Sequence, residues 1–351
     1  MGPRVGPFRF LFTFTLPFFI MTAGCSNYLL NQVLQITAKV YTAGYYANGT
    51  TWIACYWLNS TKTDLPGGVA PNGAAARSIF VSGGTVYAAG YYNNGTTWVA
   101  CYWTNGTKTD LPGGTAPNGA MAYSIYVSGG TVYVGGQYYN GATNVACYWT
   151  NGTKTDLPGS NASAWSMYVA GGTVYTGGAY SNGTTNVACY WTNTLKTDLP
   201  GDGTGLHSAG VQSIYVSGGT VYTAGGYNNG TTGIACYWIN NSKTDLPGNN
   251  GSATSIYFSG GTIYTAGGYN NGTFDVACYW TNITKTDLPG VGSNGSFAYS
   301  IYLSAGIVCI AGSYSNGTAN IACYWTNGTK TDIPGDGNST HNTDAESIYL
   351  W

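Results

Sequence analysis

The sequence predicts an all-β fold, a seven-bladed β-propeller of four-stranded antiparallel blades, and three observations carry that prediction. The motif Ala-Cys-Tyr-Trp occurs seven times, with its cysteines at Cys55, Cys101, Cys147, Cys189, Cys236, Cys278 and Cys323. Successive copies are 46, 46, 42, 47, 42 and 45 residues apart, and a period in that range filled with short strand patterns marks a propeller blade. The 54 Gly, 32 Tyr and 11 Trp of the 351-residue chain suit short strands joined by tight turns, and no stretch beyond the leader has helical periodicity.

Charged residues make up 7% of the chain and the net charge is -1. No basic field exists to hold nucleic acid or an anionic membrane surface, so nucleic acid is not an expected partner.

Met1–Phe8 carry Arg4 and no acid, Phe10–Met21 are almost wholly apolar, and Thr22-Ala23-Gly24 precede Cys25. That order is a secretory signal peptide. The apolar run is short for a bilayer span and Pro17 interrupts it, which argues against a transmembrane helix. Met21-Thr22-Ala23-Gly24-Cys25 resembles the lipobox of bacterial lipoproteins. The resemblance implies a signal peptide over residues 1–24, lipidation of Cys25, and a place in the bacterial cell envelope where acyl chains alone touch the membrane. Ordinary signal cleavage with an unmodified Cys25 is the alternative. Residues 25–38 are then a tether and 39–351 one propeller domain, since a repeat array can extend as a single closed body.

The second unit shows the order of strands within a blade. Ser78–Val81 form strand a, Ser-Gly-Gly-Thr a turn, and Val86–Tyr91 strand b; after Asn93-Asn94-Gly95-Thr96 come strand c, Val99–Trp103, and strand d, Lys108–Leu111. Gly-Gly and Asn-Gly supply the positive φ that hairpin turns need. Strand c is apolar on both faces and must be sandwiched between neighbours. Strand d is half polar and is stopped by Pro112, as an outer edge protected from further pairing should be.

Val-Tyr-Thr-Ala-Gly-Gly-Tyr at Val221–Tyr227, its counterpart at Ile263–Tyr269, and the following Ala-Cys-Tyr strand and Leu-Pro resemble the kelch repeat in all seven units. The resemblance implies a propeller and a role in binding proteins; it supplies no catalytic residues. Strand a recurs from Ser78 to Ser300, and a final Ser347-Ile348-Tyr349-Leu350-Trp351 ends the sequence. The first unit lacks a strand a of this type, so the C-terminal strand is expected to complete it and close the ring. Gln32–Ile36 competes for the same place.

Seven symmetry-related cysteines are poor disulfide partners. With strands about 4.8 Å apart, adjacent copies sit about 14 Å from each other, whereas a disulfide needs Cα atoms within about 7 Å. They are expected to be buried thiols. Cys309, next to strand c of the last unit, could approach Cys323, the one disulfide worth considering. No Cys-x-x-Cys or paired His spacing points to a metal, and nothing points to a cofactor. Seven Lys-x-Asp pairs, Lys62/Asp64 to Lys330/Asp332, are expected to bridge locally for about 0–1 kcal/mol each. The recurrent Asn-Gly-Thr is turn chemistry as well as a glycosylation sequon.

Function is sought where the copies differ. The residue before each strand a serine is Arg77, Tyr123, Trp165, Gln212, Thr254, Tyr299 or Glu346, and the residue opening strand c is Trp52 and Trp98 in the first two units, then Asn144, Asn186, Gly233, Asp275 and Asn320. The d–a and b–c connections share one end of a blade, so both sets crowd one face, the first around the channel mouth. Met121, Phe297 and Asp344, two residues earlier, are expected to share its side-chain direction. Arg77 and Glu346, on adjacent blades, should neutralise each other. The expected function is a surface-anchored, non-catalytic, monomeric binding module for a protein or glycan. The alternatives are a carbohydrate-active enzyme using Asp202, Asp275, Asp336, Asp344, Glu346, His207 or His341, and a purely structural surface protein. Arg77 is the only Arg beyond the signal segment, so a site that resembles the arginine triad of sialidases is excluded.

Overall fold

A computed structural model describes residues 39–68, 70–290 and 294–351. The segments expected as signal peptide (1–24) and tether (25–38), with Cys25 and Gln32–Ile36, fall outside the described residues. Within them, 28 strands form seven four-stranded antiparallel sheets. Blade 2 comprises strand a, Ala74–Ser82; strand b, Thr85–Asn93; strand c, Trp98–Thr104; and strand d, Thr107–Asp110. In blade 1 the C-terminal strand Thr343–Leu350 pairs antiparallel with Val40–Ala47, which pairs with Trp52–Leu58 and through it with Thr61–Asp64. The chain's last strand therefore closes the ring, and reciprocal hydrogen bonds between Lys39 and Trp351, at 3.1 and 3.0 Å, extend the seam by one residue.

Each blade is latched to its neighbour twice. The strand c tryptophan is wholly buried, and its indole N–H donates to the carbonyl of the proline that ends the preceding blade's strand d, at 2.8–3.0 Å in all seven cases. The Leu-Pro after strand d thus both stops the edge and supplies the acceptor. Nearer the axis, Ser78 Oγ accepts from the Ile125 amide of the next blade at 3.1 Å. The pattern runs on through Ser124, Ser166, Ser213, Ser255 and Ser300 to Ser347, which accepts from Ile79 at 3.2 Å and completes the circle. Strand a is the inner edge of its sheet, so the serine gives its amide a partner that no fifth strand could.

Apolar packing fills the space between these latches. Between blades 1 and 2, Ala54 and Leu65 meet Ile79, Val81, Cys101 and Trp103. The eight described cysteines are buried and free, and burial pushes the Cys101 thiol well up. Cys309 lies opposite Thr326 in the strand register, with Sγ 3.6 Å from its Oγ1, whereas Cys323 lies opposite Gly312. Three positions of register separate the two cysteines, and no disulfide joins them. Around the axis Phe80, Tyr126, Tyr168, Tyr215, Tyr257, Tyr302 and Tyr349 form a closed aromatic ring with centroids 4.7–5.2 Å apart. Burial pushes Tyr168, Tyr215 and Tyr257 up to about 12, so these three stay uncharged at ordinary pH.

The rim uses the Lys-x-Asp pairs. In every blade the lysine reaches its aspartate at 2.8–3.6 Å. It also caps a strand b tyrosine ring at 3.1–3.5 Å. That tyrosine in turn donates its hydroxyl to the same aspartate at 2.9–3.1 Å. The aspartates are half exposed, so each pair is worth no more than about 1 kcal/mol, and the added cation–π contact makes the cluster chiefly a spacer between strands b and d. The turn asparagines Asn59, Asn105, Asn151, Asn193, Asn240, Asn282 and Asn327 sit at φ of 46–54°. Each accepts a strand b amide on Oδ1 at 2.9–3.1 Å, consistent with the turn role.

Strand a begins earlier than its serine suggests, and in every blade it carries a β-bulge whose extra residue is the one before that serine. The variable set Arg77, Tyr123, Trp165, Gln212, Thr254, Tyr299 and Glu346 is therefore the set of bulge residues inside the strands, not a set of loop residues. A bulge bends its strand toward its partner. On strand b the facing residue is always glycine: a Cβ at Gly44, Gly90, Gly136, Gly178, Gly225, Gly267 or Gly312 would overlap a strand a carbonyl oxygen.

Gly135 and Gly136 separate this constraint from ordinary packing. At Gly135 an added Cβ would make only van der Waals contact with Met167, and five other blades carry Ala there; at Gly136 it would overlap the Met121 carbonyl oxygen. Gly135→Ala is expected to change stability by less than about 1 kcal/mol and Gly136→Ala to cost on the order of 3 kcal/mol, measured by denaturant unfolding.

Candidate binding face

The bulges turn seven side chains toward the axis. Arg77, Tyr123, Trp165, Gln212, Thr254, Tyr299 and Glu346 together line one axial cavity of about 400 Å³, at the end predicted from the topology. Three lateral grooves open from it, each sharing a bulge residue as its wall. Over blades 1 and 2, Arg77 also lines a slot of about 340 Å³ with Tyr45, Trp52, Tyr91 and Trp98. Over blades 4 to 6, Trp165 and Gln212 line a trough of about 460 Å³. Over blades 6 and 7, Tyr299 lines a groove of about 190 Å³ with Asp275, Phe297 and Asn320.

Six of the seven strand c openers line these grooves, and Asn144 lines none of them. Trp52 is 40% exposed and lies tilted by 37° over Tyr45 at 4.4 Å; Trp98 meets Tyr91 edge-on at 5.3 Å. Their carbonyls are covered by the next blade's loop: a Cβ at Gly73 would overlap the Trp52 carbonyl oxygen, and one at Gly119 the Trp98 carbonyl oxygen. Both glycines sit in Ala-Pro-Asn-Gly loops, which occur only after the two blades that open strand c with Trp. Asn186 and Gly233 line the trough. The residues two before the bulge do not act alike. Met121 lines the slot and accepts from the Tyr123 hydroxyl at 3.2 Å, and Phe297 lines the blade 6–7 groove. Asp344 is buried instead, with Oδ1 unpartnered among the described residues. None of the three joins the bulge residues in lining the axial cavity, because the bulge breaks the alternation that would have aligned them.

The axial cavity carries one ion pair, and Asp275 is an acid of the blade 6–7 groove outside it. Arg77 Nη1 donates to Glu346 Oε1 at 2.5 Å, with the glutamate side chain 12% exposed. Burial pushes Glu346 up and Arg77 pulls it back down, with a net upward shift. Burial also works against the Arg77 charge, but Glu346 and the surrounding tyrosines hold it firmly protonated. Tyr123 and Tyr299 are pushed up by burial, which keeps both as hydroxyl donors. The two histidines are tied into their own loops. His207 Nδ1 lies 2.5 Å from Asp202 and His341 Nδ1 lies 2.6 Å from Asp336. Hydrogen bonds from Thr204 and His207 hold Asp202 low, and the Asn338 amide does the same for Asp336.

One determinant is absent from the sequence analysis. The strand b residue after the bulge-facing glycine is Tyr45, Tyr91, Gln137, Ala179, Gly226, Gly268 or Ser313. That series runs from large aromatics over blades 1 and 2 to no side chain over blades 5 and 6, and the slot and the trough follow it.

No family model matches the chain, and no curated protein matches it by sequence. Among solved structures it is similar to the β-propeller domain of the Trilobed protease from Pyrococcus furiosus, with a TM-score of 0.51 and 8% identity over 86% of this chain and 94% of that one. This likeness is one of fold. That domain is described as having an open velcro topology, whereas here the last strand is paired into blade 1.

Replacing Arg77 by Met leaves the Glu346 carboxylate buried without a counterion. Its folded pKa, already above the unfolded value, then rises further, so the penalty is complete at high pH and vanishes as protonation neutralises it. Arg77→Met is expected to cost about 3 kcal/mol at pH 7, with the deficit in melting temperature against wild type shrinking steadily as pH falls toward about 4.5.

Proposed function

We propose that this chain is a non-catalytic binding module, held at the surface of a bacterial membrane by a lipid on Cys25, that takes a protein or glycan ligand on the face bearing the bulge residues. The observation that supports this most is the convergence of all seven non-repeated bulge side chains on one cavity, from which aromatic and amide-lined grooves extend. The blade itself demands only that something occupy the bulge, yet those positions carry Arg, Tyr, Trp, Gln, Thr and Glu. Concave surfaces with a few fixed polar groups among aromatics are ligand sites by their physics.

The titratable groups fit binding better than chemistry. Arg77 and Glu346 neutralise each other, and each histidine is held by an aspartate of its own loop against a b–c turn: a Cβ at Gly230 would touch the His207 ring, and one at Gly49 the His341 ring. On glycan arrays and against candidate protein partners, the triple variant Tyr123→Ala/Trp165→Ala/Tyr299→Ala is expected to lose at least about tenfold in affinity, measured on protein shown to be folded by circular dichroism. Full retention of the ligand by the folded variant would remove this face from the function. For the anchor, radiolabelled palmitate is expected to enter the wild-type chain and not Cys25→Ala; equal labelling of both would dismiss it.

A further inference from the structure

We propose that the trough over blades 4 to 6 is a subsite for an uncharged pyranose saccharide, with Trp165 as its stacking platform. The inference rests on the binding face described above and specifies which part of it takes which chemistry.

Space comes first. The trough exists because side chains are missing: Gly210, Gly226, Gly233 and Gly251 line it, and the strand b position of Gly226 holds Tyr45 and Tyr91 in blades 1 and 2. Its volume of about 460 Å³ falls within the range of small-ligand sites. Its floor is bare backbone, so a flat ligand can approach closely. One of the glycines also fixes the wall. A Cβ at Gly210 would meet the Trp165 indole at 3.0 Å, so the indole of blade 4 lies against the naked strand of blade 5 and is held there.

The polar groups are amides, and two of them are pre-set. Asn228 Oδ1 accepts from the Gly230 amide at 2.7 Å and Asn250 Oδ1 from the Gly233 amide at 3.1 Å. With each carbonyl oxygen engaged, the orientation is fixed and both Nδ2 hydrogens remain to donate. The side chains of Asn186 and Gln212 make no hydrogen bond among the described residues, and both are exposed. Donors held in place cost a ligand little ordering entropy.

Charge decides the class. Among the residues lining the trough there is no Asp, Glu, Lys, Arg or His, so an ionised ligand would lose hydration without gaining a counterion. A pyranose without charge matches every feature: an apolar ring face for the indole, equatorial hydroxyls for the amides, and a thin body for the glycine floor. The opposite slot, lined by Arg77, lacks that neutrality.

The test is native affinity electrophoresis of the full chain in gels containing neutral polysaccharides (dextran, xylan, mannan and galactomannan), acidic polygalacturonate or cationic chitosan. The expected result is retardation by at least one neutral polymer and by neither charged one. Trp165→Ala and Gly226→Gln, which installs the residue blade 3 carries as Gln137, are each expected to weaken it at least about tenfold, and Trp165→Phe to retain most of it. Should Trp165→Ala fail to fold, Gly226→Gln decides alone, since a Cβ there only crowds the Ile234 carbonyl oxygen at 3.0 Å. Retardation that survives in folded Gly226→Gln but is lost in Tyr123→Ala/Tyr299→Ala overturns the subsite and leaves the binding face standing. A preference for either charged polymer, or no retardation by any neutral one, overturns the ligand class; a protein partner bound instead would keep the face and sink the saccharide.

Discussion

The structure depends on one steric event repeated seven times, the bulge in the innermost strand. An extra residue there pushes a strand a carbonyl into strand b, and only glycine leaves room for it. The bend also sets strand a of one blade beside that of the next, where a serine hydroxyl satisfies a neighbouring backbone amide all the way round the axis. The extra residue turns into the axial cavity at this end in every blade, apart from the strand a aromatics Phe80 to Tyr349 that ring the axis. The framework and the candidate site therefore have the same cause.

That cause explains how much could be read from the letters. Blade number, strand order and the closing role of Ser347–Trp351 were legible because each is a periodic or terminal feature: seven copies of one strand, turns with Asn-Gly and Gly-Gly, and a last strand with no sheet of its own. The variable residues were also found, since symmetry-breaking shows up on simple alignment of the repeats. Their location was not. A bulge adds one residue to an otherwise continuous strand, and no hydrophobic pattern marks it when the extra residue is Arg in one copy and Tyr in the next. A signal did exist: a glycine in mid-strand, present in all seven copies and not at positive φ, asks for close approach of another backbone.

The double glycine hides a further distinction. In Val134-Gly135-Gly136 the second glycine faces the bulge, whereas in Ala224-Gly225-Gly226 the first one does. Taken as one motif, the pair looks the same in the four blades that carry it; placed in register, one glycine is obligatory, and in blades 5 and 6 the other belongs to a series that runs from Tyr to nothing. Gly226 and Gly268 resemble framework by sequence, yet their lack of a side chain shapes the face. The kelch-like pattern concealed the very position at which blades 5 and 6 differ from blades 1 and 2.

Electrostatics then limits what such a face can select. Seven lysines and seven aspartates of the 23 charged residues are spent in pairs on the outer rim, against tyrosine rings and far from the axis in strand order. On the face, Arg77 and Glu346 are bound to each other, and the acids of the Asp202 and Asp336 loops are bound to histidines. Asp275 stands outside these pairs in the blade 6–7 groove and Asp344 is buried without a salt bridge among the described residues, so the face is not neutral throughout; only the trough is free of charged side chains, and there long-range steering contributes little to capture. Discrimination must come from contact: the fit of a ring against an indole, the reach of an amide, and the width left by an absent side chain. An array of near-identical blades offers few ways to vary that contact without breaking the repeat. The bulge residue, the strand c opener and the strand b residue beside the obligatory glycine are the three positions where this chain does so.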